Sequence, residues 1–231
     1  MALARFTALA ASIALSSTLS AQIVTNGGFE TFTGTFRPDG AQQLDPGATT
    51  LTGWTIVRGE IAIAQNGNDY LLTSRSGTRF LDLAGYTNTG FPKGLQQSLT
   101  GLTVGQTYTF SMWLGVLNGS CGPAGFNLCA GPVAARATVG AFSQLFTHNS
   151  TLPGNQWGNY SFNFTASNST LLLLIEGVSL PAGNQYIGLD DVSVVASTVP
   201  PSVVPEPGTY ALLGTGLVLL GLTTSRRRRS S

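Results

Sequence analysis

The 231-residue chain is short of charge: only 9% of its residues are Asp, Glu, Lys or Arg. Long solvent-facing helices need charged, straight-chain residues, so their near absence argues against a helical protein and favours short strands with many turns. Histidine is almost missing as well. His148 is the one imidazole and sits in a loop-like Thr-His-Asn-Ser context, where a solvated residue is expected rather than a catalytic base. No Gly-x-Ser-x-Gly elbow surrounds a serine and no phosphate-cradling glycine loop precedes a Lys-Ser/Thr pair, which removes the common hydrolase and nucleotide-binding signatures. A basic face is lacking too. Between Gln22 and Val199 there are six basic side chains against nine acidic ones, a net charge of −3, so a nucleic-acid partner is not expected.

Cysteine is confined to Cys121 and Cys129. They are too far apart for a Cys-x-x-Cys metal site and lack further ligands. In an exported chain such a pair is expected to form a disulfide. Export is what the first residues predict. Residues 1–21, MALARFTALAASIALSSTLSA, carry one early arginine, a short apolar stretch and small residues up to Ala21, the pattern of a cleaved secretory signal peptide.

What is present from residue 22 to 197 reads as all-β. QTYTFSMWLGV places Tyr108, Phe110, Met112 and Leu114 on one face and Thr107, Thr109 and Ser111 on the other, with Trp113 on that second, outward face. WGNYSFNF sets Tyr160, Phe162 and Phe164 inward in the same way, the period of two that a half-buried strand requires. STLLLLIEGV is a continuous apolar run, expected to be a strand covered on both faces. GLQQSLTGL, GWTIV, EIAIA, TRFLDL, AARATV and YIGLDDVSVV are further strands, with glycine, asparagine and proline between them. Nine or ten short strands without an intervening helix predict a jelly-roll-like antiparallel β-sandwich. Residues 198–209 form a proline-stiffened linker.

The chain then changes character. Val204-Pro205-Glu206-Pro207 is followed by an apolar segment, residues 210–225, and a basic tail, residues 226–231, with Arg226 to Arg229. The apolar run from Tyr210 to Leu222 would span roughly 20 Å as a helix at about 1.5 Å per residue, short of the hydrocarbon core of about 30 Å. Snorkelling arginines held in the cytoplasm would partly cure the mismatch. This ending resembles the PEP-CTERM sorting signal of Gram-negative bacteria, also described as an ice-binding-protein C-terminal domain. The resemblance implies a single transmembrane helix, recognition at Pro205, Glu206 and Pro207 by a membrane-embedded exosortase, an inner-membrane intermediate, and delivery to the cell surface or exopolysaccharide matrix. It says nothing about ice.

A second resemblance covers most of residues 22–196. NGGFE near the start, GW after it, SGTRFLDLAG, GLQQSLTGLTVGQTYTFSMWLG, and LDDVSV at the end are similar to galactose-binding-like sandwiches, among them choice-of-anchor domains and carbohydrate-binding modules. In a jelly roll the first and last strands can lie side by side, which would bring Glu30 near Asp190 and Asp191. Asp190 shares parity with Val192 and Val194 and is therefore expected to point with the core. A buried carboxylate needs a partner. The resemblance implies a structural calcium held by Glu30 and Asp190, with carbonyls from Gly28 and Ser76 and with Asp191 in reserve; the alternative is that the aspartates accept backbone or arginine hydrogen bonds. Trp113, Trp54 and Trp157 are the candidate sugar platforms, with Tyr70 and Tyr86 as further aromatic surfaces. The function expected is non-catalytic binding of polysaccharide. A structural matrix protein with no discrete ligand, or a hydrolase using two of Glu60, Asp69, Asp82 and Glu176, are the alternatives.

Overall fold

The computed structural model describes residues 23–87, 89–120, 128–129, 131–180 and 186–197. The signal segment, Cys121, the linker, Pro205 to Pro207, residues 210–225 and the arginine tail lie outside the described residues. Twelve strands follow in chain order: β1 (Ala41–Leu44), β2 (Thr55–Arg58), β3 (Ile61–Gln65), β4 (Arg79–Asp82), β5 (Lys93–Thr100), β6 (Thr107–Ser120), β7 (Leu128–Cys129), β8 (Val133–Val139), β9 (Phe142–His148), β10 (Gly154–Thr165), β11 (Thr170–Val178) and β12 (Gly188–Ala196). No helix occurs among the described residues.

One sheet has the order β1-β3-β4-β12-β6-β10, with β7 attached to β6; the other has the order β2-β5-β11-β8-β9. All pairings are antiparallel. The protein is an all-β sandwich of two antiparallel sheets, as the alternating pattern predicts. The two ends of the sandwich meet. Ile23 N–H donates to the Val194 carbonyl at 3.2 Å and Val192 N–H to the Gly27 carbonyl at 2.9 Å.

The core lies between the sheets. Phe110, Met112, Leu114 and Val116 of β6 and Leu189, Val192 and Val194 of β12 face Leu95 and Leu99 of β5, Leu171, Leu173 and Ile175 of β11, and Val133, Ala135, Ala137 and Val139 of β8. Each fully buried Leu, Ile or Phe here contributes about 1.5–3 kcal/mol. The leucine run of β11 is covered on one face only. Leu173 is sealed, whereas Leu172 is 45% exposed; further along the outer side Glu176 is covered by its partner Arg58.

A second apolar cluster lies on the outer face of the seven-stranded sheet, made by Ala41, Ala64, Leu72, Phe80, Leu117 and Tyr186 with Trp157 against it. Gly188 and Gly115 make room for it. A Cβ at Gly188 would collide with the Tyr186 ring, and one at Gly115 would lie 3.0 Å from the Trp157 indole.

Candidate functional site

The parity argument for Asp190 fails at a β-bulge. The β12–β6 register runs Leu189↔Leu114 and Asp190↔Trp113, then resumes at Ser193↔Ser111, and Asp191 adopts φ 46°. One extra residue at this point turns Asp190 to the outer face beside Trp113, while Leu189, Val192 and Val194 keep the core face. Asp190 is nevertheless fully buried, because the loop before β4 closes over it. The N–H groups of Arg75 and Ser76 donate to Asp190 Oδ2 at 2.9 and 3.2 Å, and Asp191 N–H donates to Oδ1 at 2.7 Å.

The same loop collects the other predicted carboxylates. Ser76 Oγ donates to Asp191 Oδ1 at 2.7 Å. Glu30 Oε1 accepts from the N–H groups of Thr78 and Arg79 at 2.8 and 2.9 Å, Oε2 accepts from the Thr78 hydroxyl at 2.8 Å, and the Arg79 guanidinium donates to the Glu30 carbonyl. Gly28, Glu30 and Asp191 line one open cleft of about 450 Å³ with Val24, Asn26 and Ser193. The structure therefore gathers Gly28, Glu30, Ser76, Asp190 and Asp191 around residues 75–78. Their oxygens are occupied mainly by N–H and O–H donors, and among the described residues no three metal-ligating side chains converge.

The electrostatics of the two acids differ. Burial pushes the Asp190 carboxyl up to about 7; the Asp191 charge adds to this, and the three N–H groups oppose it. Burial also works against the charge of Glu30, but its hydrogen bonds from Arg79 and Thr78 outweigh it and hold that carboxyl below its ordinary value.

Trp113 faces outward, and Arg75 lies across it, with the guanidinium carbon 4.2 Å from the ring centroid. Arg75 also approaches Asp191 Oδ2 at 3.8 Å. Beyond Trp113 the outer face of β12, β6 and β10 is uncharged and, apart from Val195 opposite Thr109, polar. Asn159 pairs with Trp113, Ser161 with Ser111 and then Ser193, and Asn163 with Thr109. Thr109 Oγ1 donates to Asn163 Oδ1 at 2.8 Å.

The other two tryptophans are placed differently. Trp54 is 3% exposed, packs on Phe29 and donates its indole N–H to the Asn26 carbonyl at 3.0 Å. It is a core residue and presents no face to a ligand, because the turn before β2 folds it under the N-terminal segment. Trp157 is half-buried, edge-on to Phe80, with its N–H donated to the Thr73 carbonyl at 3.2 Å.

Two clusters escaped the reading of the sequence. Asp39 Oδ2 accepts from the hydroxyls of Tyr70 and Tyr86 at 2.9 and 3.1 Å, and Arg37 sits over the Tyr86 ring at 4.8 Å. Burial and the Asp39 hydrogen bond push the Tyr70 hydroxyl up to about 12. Lys93 is 1% exposed. Its Nζ donates to Glu60 Oε1 and to the Ala84 carbonyl, both at 2.6 Å, and to Thr87 Oγ1 at 3.0 Å. Asp82 lies nearby, its Oδ1 accepting from Ala84 and Ile187 N–H at 2.8 and 3.0 Å, and burial pushes its carboxyl up to about 7. Glu176 is paired with Arg58. A lysine at a strand start gives no local sign that it will be buried, so periodicity alone could not have found this network. His148 stacks edge-on to Tyr160, and burial lowers its basicity.

Residues 203–229 match the PEP-CTERM protein-sorting motif, a signal for export and cell-surface sorting. The chain is 26% identical over 227 residues to halomucin of Haloquadratum walsbyi, covering 94% of this chain and 2% of that protein. Solved structures that the chain resembles include an arabinose-bound α-L-arabinofuranosidase (TM-score 0.48, 14% identity, 78% of this chain and 27% of that one). They also include the TmCBM61 module with β-1,4-galactotriose (0.43, 16%, 77% and 100%) and the CBM22-1 xylan-binding domain of Paenibacillus barcinonensis Xyn10C (0.37, 18%, 68% and 92%).

Proposed function

We propose that this protein is a surface-delivered, non-catalytic carbohydrate-binding module that holds a polysaccharide chain along the outer face of β12, β6 and β10. The observation that carries the reading is the juxtaposition of partly buried Trp113, with Arg75 lying over its ring, and the uncharged ladder of Asn159, Ser111, Ser161, Ser193, Thr109 and Asn163. An aromatic face takes the apolar side of a sugar ring, and amides and hydroxyls exchange hydrogen bonds with its hydroxyl groups. Non-catalytic status is supported by three of the four candidate carboxylates: Glu60 is paired with Lys93, Glu176 with Arg58, and Asp82 with two N–H groups, which leaves exposed Asp69 without a second free acid to act with. The sorting motif supports processing by an exosortase at Pro205–Pro207, with residues 210–225 as the transient membrane helix.

Binding of the intact protein to a polysaccharide panel by affinity electrophoresis tests this. Trp113→Ala should weaken binding about tenfold or more, the loss expected of a hot-spot aromatic, while the melting temperature changes little. Unchanged affinity in that variant, or turnover of the bound polysaccharide, would overturn the reading.

A structural calcium belongs to the same proposal, at the cleft of Gly28, Glu30 and Asp191, with Ser76 and Asp190 beside it. In its favour are the open cleft and the three carboxylates Glu30, Asp190 and Asp191, which outnumber the neighbouring Arg75 and Arg79 by one and which a hard, oxygen-seeking cation would neutralise. Millimolar Ca²⁺ should raise the melting temperature of the wild type and have no effect on Glu30→Ala. A wild-type melt indifferent to Ca²⁺ argues for carboxylates that simply latch the loop.

A further inference from the structure

Sheet edges are where a sandwich is open to other chains, and native proteins guard them with charge, proline, bulges or short length. Besides the two-residue β7, the described residues present four edges, and three of them are guarded. Strand β1 has four residues, and the Arg37 N–H donates to its Ala41 carbonyl at 3.0 Å. Strand β2 has four residues, a register shift between Ile56 and Arg58, and the Arg58 charge. On β10, His148 Nε2 sits 3.3 Å from the Gln156 carbonyl, and the same ring closes over Gly158.

Strand β9 has none of these devices. It runs seven residues, FSQLFTH, in unbroken register with β8 from Val133↔His148 to Val139↔Phe142. It contains no proline and no formal charge. From Ala137 to Ile175 the chain has no Lys, Arg, Asp or Glu. Among the described residues no backbone hydrogen bond reaches its outer edge. Phe142 and Leu145 on the strand, and Leu152 just beyond it, are 43%, 46% and 61% exposed.

We propose that β9 is a self-association edge, and that its occupant is β9 of a second copy, joined antiparallel about a twofold axis at Leu145. The hairpin at Gly140–Ala141 makes Val139 and Phe142 its closing pair. Even-numbered residues of β9 therefore bond to β8, and Ser143, Leu145 and Thr147 turn their N–H and C=O outward. In the twofold arrangement Leu145 meets Leu145 of the second copy, and Ser143 meets Thr147. Both are favourable cross-strand pairs.

The absence of charge is what favours a second copy. Self-pairing places Leu145 against its own copy and brings the rest of two identical strands alongside each other, so like charges on the strand would oppose it. The nearest cation is Arg136, the cross-strand neighbour of Leu145 on β8. It would stand three strand spacings from its counterpart, about 14 Å, beyond the Debye length of about 8 Å. The contact is isologous and closed, giving a dimer rather than a filament. It does not depend on glycan binding.

The test uses the intact chain in mild detergent, so that the apolar C-terminal segment is solvated. Leu145→Cys should give an interchain disulfide on a non-reducing gel after mild oxidation. Leu71→Cys, at a position 65% exposed and outside the strands, should not, and it shares the native cysteines as background. By sedimentation equilibrium, Leu145→Lys should weaken the dimer about tenfold or more, since two lysines then face each other, with the melting temperature unchanged. Equal cross-linking at the two cysteine positions, or the same sedimenting mass for Leu145→Lys and wild type, would overturn the proposal. So would a dimer that disappears only when residues 210–231 are removed.

Discussion

The segment from Glu30 to Lys93 and the segment from Ala137 to Ile175 belong to one sandwich but are held together by different physics. The first holds at least one partner of each salt bridge among the described residues, Lys93–Glu60, Arg75–Asp191 and Arg58–Glu176. Its turns are fastened by carboxylates that accept backbone N–H groups. The second has no formal charge and relies on leucine, phenylalanine and hydroxyl ladders. The contrast shows what the carboxylates of a weakly charged chain are used for: Glu30, Glu60, Asp82 and Asp190 accept backbone N–H groups of irregular segments that have no strand partner. The regular strands satisfy themselves.

Breaking the charged side should have the largest effect. Lys93→Ala leaves Glu60 partly buried without its cation and leaves the Ala84 carbonyl without a donor, and should cost about 3–5 kcal/mol, read from urea unfolding. The expectation fails if the variant unfolds at the wild-type midpoint.

The next effect is one of pH. The Asp82 carboxyl is raised from an ordinary 3.8 to about 7 in the folded state. The folded protein thus binds a proton that the unfolded chain releases. Its contribution to stability is complete below about pH 4 and is lost as pH rises through about 7. Asp82→Asn keeps an acceptor for Ala84 and Ile187 N–H, and should flatten that part of the melting-temperature profile by an amount of order a few kcal/mol. A wild-type profile that is flat between these values, with Asp82→Asn matching it, would contradict the burial effect.

The exposed edge of the uncharged side should respond least in stability. Leu145→Lys, on an exposed strand face, should stay within about 0.5 kcal/mol of wild type, so that its effect on association is read cleanly. A large destabilisation would mean that the charge-free edge contributes to the fold itself.

Much of this contrast was legible from local pattern. The alternation in Tyr108 to Leu114 placed Trp113 outward correctly, and the apolar periods marked β3, β6, β10 and β12. That the first and last segments of the sandwich lie side by side was foreseeable from the architecture itself. Other features were not. Period-two counting put Asp190 in the core because it cannot see a bulge; the inserted Asp191, at φ 46°, reverses the face of a single residue. The apolar run of β11 gave no sign that one of its faces meets solvent. Trp54 looked like any surface aromatic after a glycine, and only the N-terminal segment folding over it made it core.

Composition and alternation by themselves determined an all-β exported sandwich and the sorting motif at its end, because strand period, turn residues and a terminal signal are all local in the chain. The packing of distant segments alone decided that Glu30, Ser76, Asp190 and Asp191 share one loop, that Lys93 is buried against Glu60, and that β9 is the edge left open. Each of these depends on which strands become neighbours, and hydrogen bonding between strands far apart in sequence sets that.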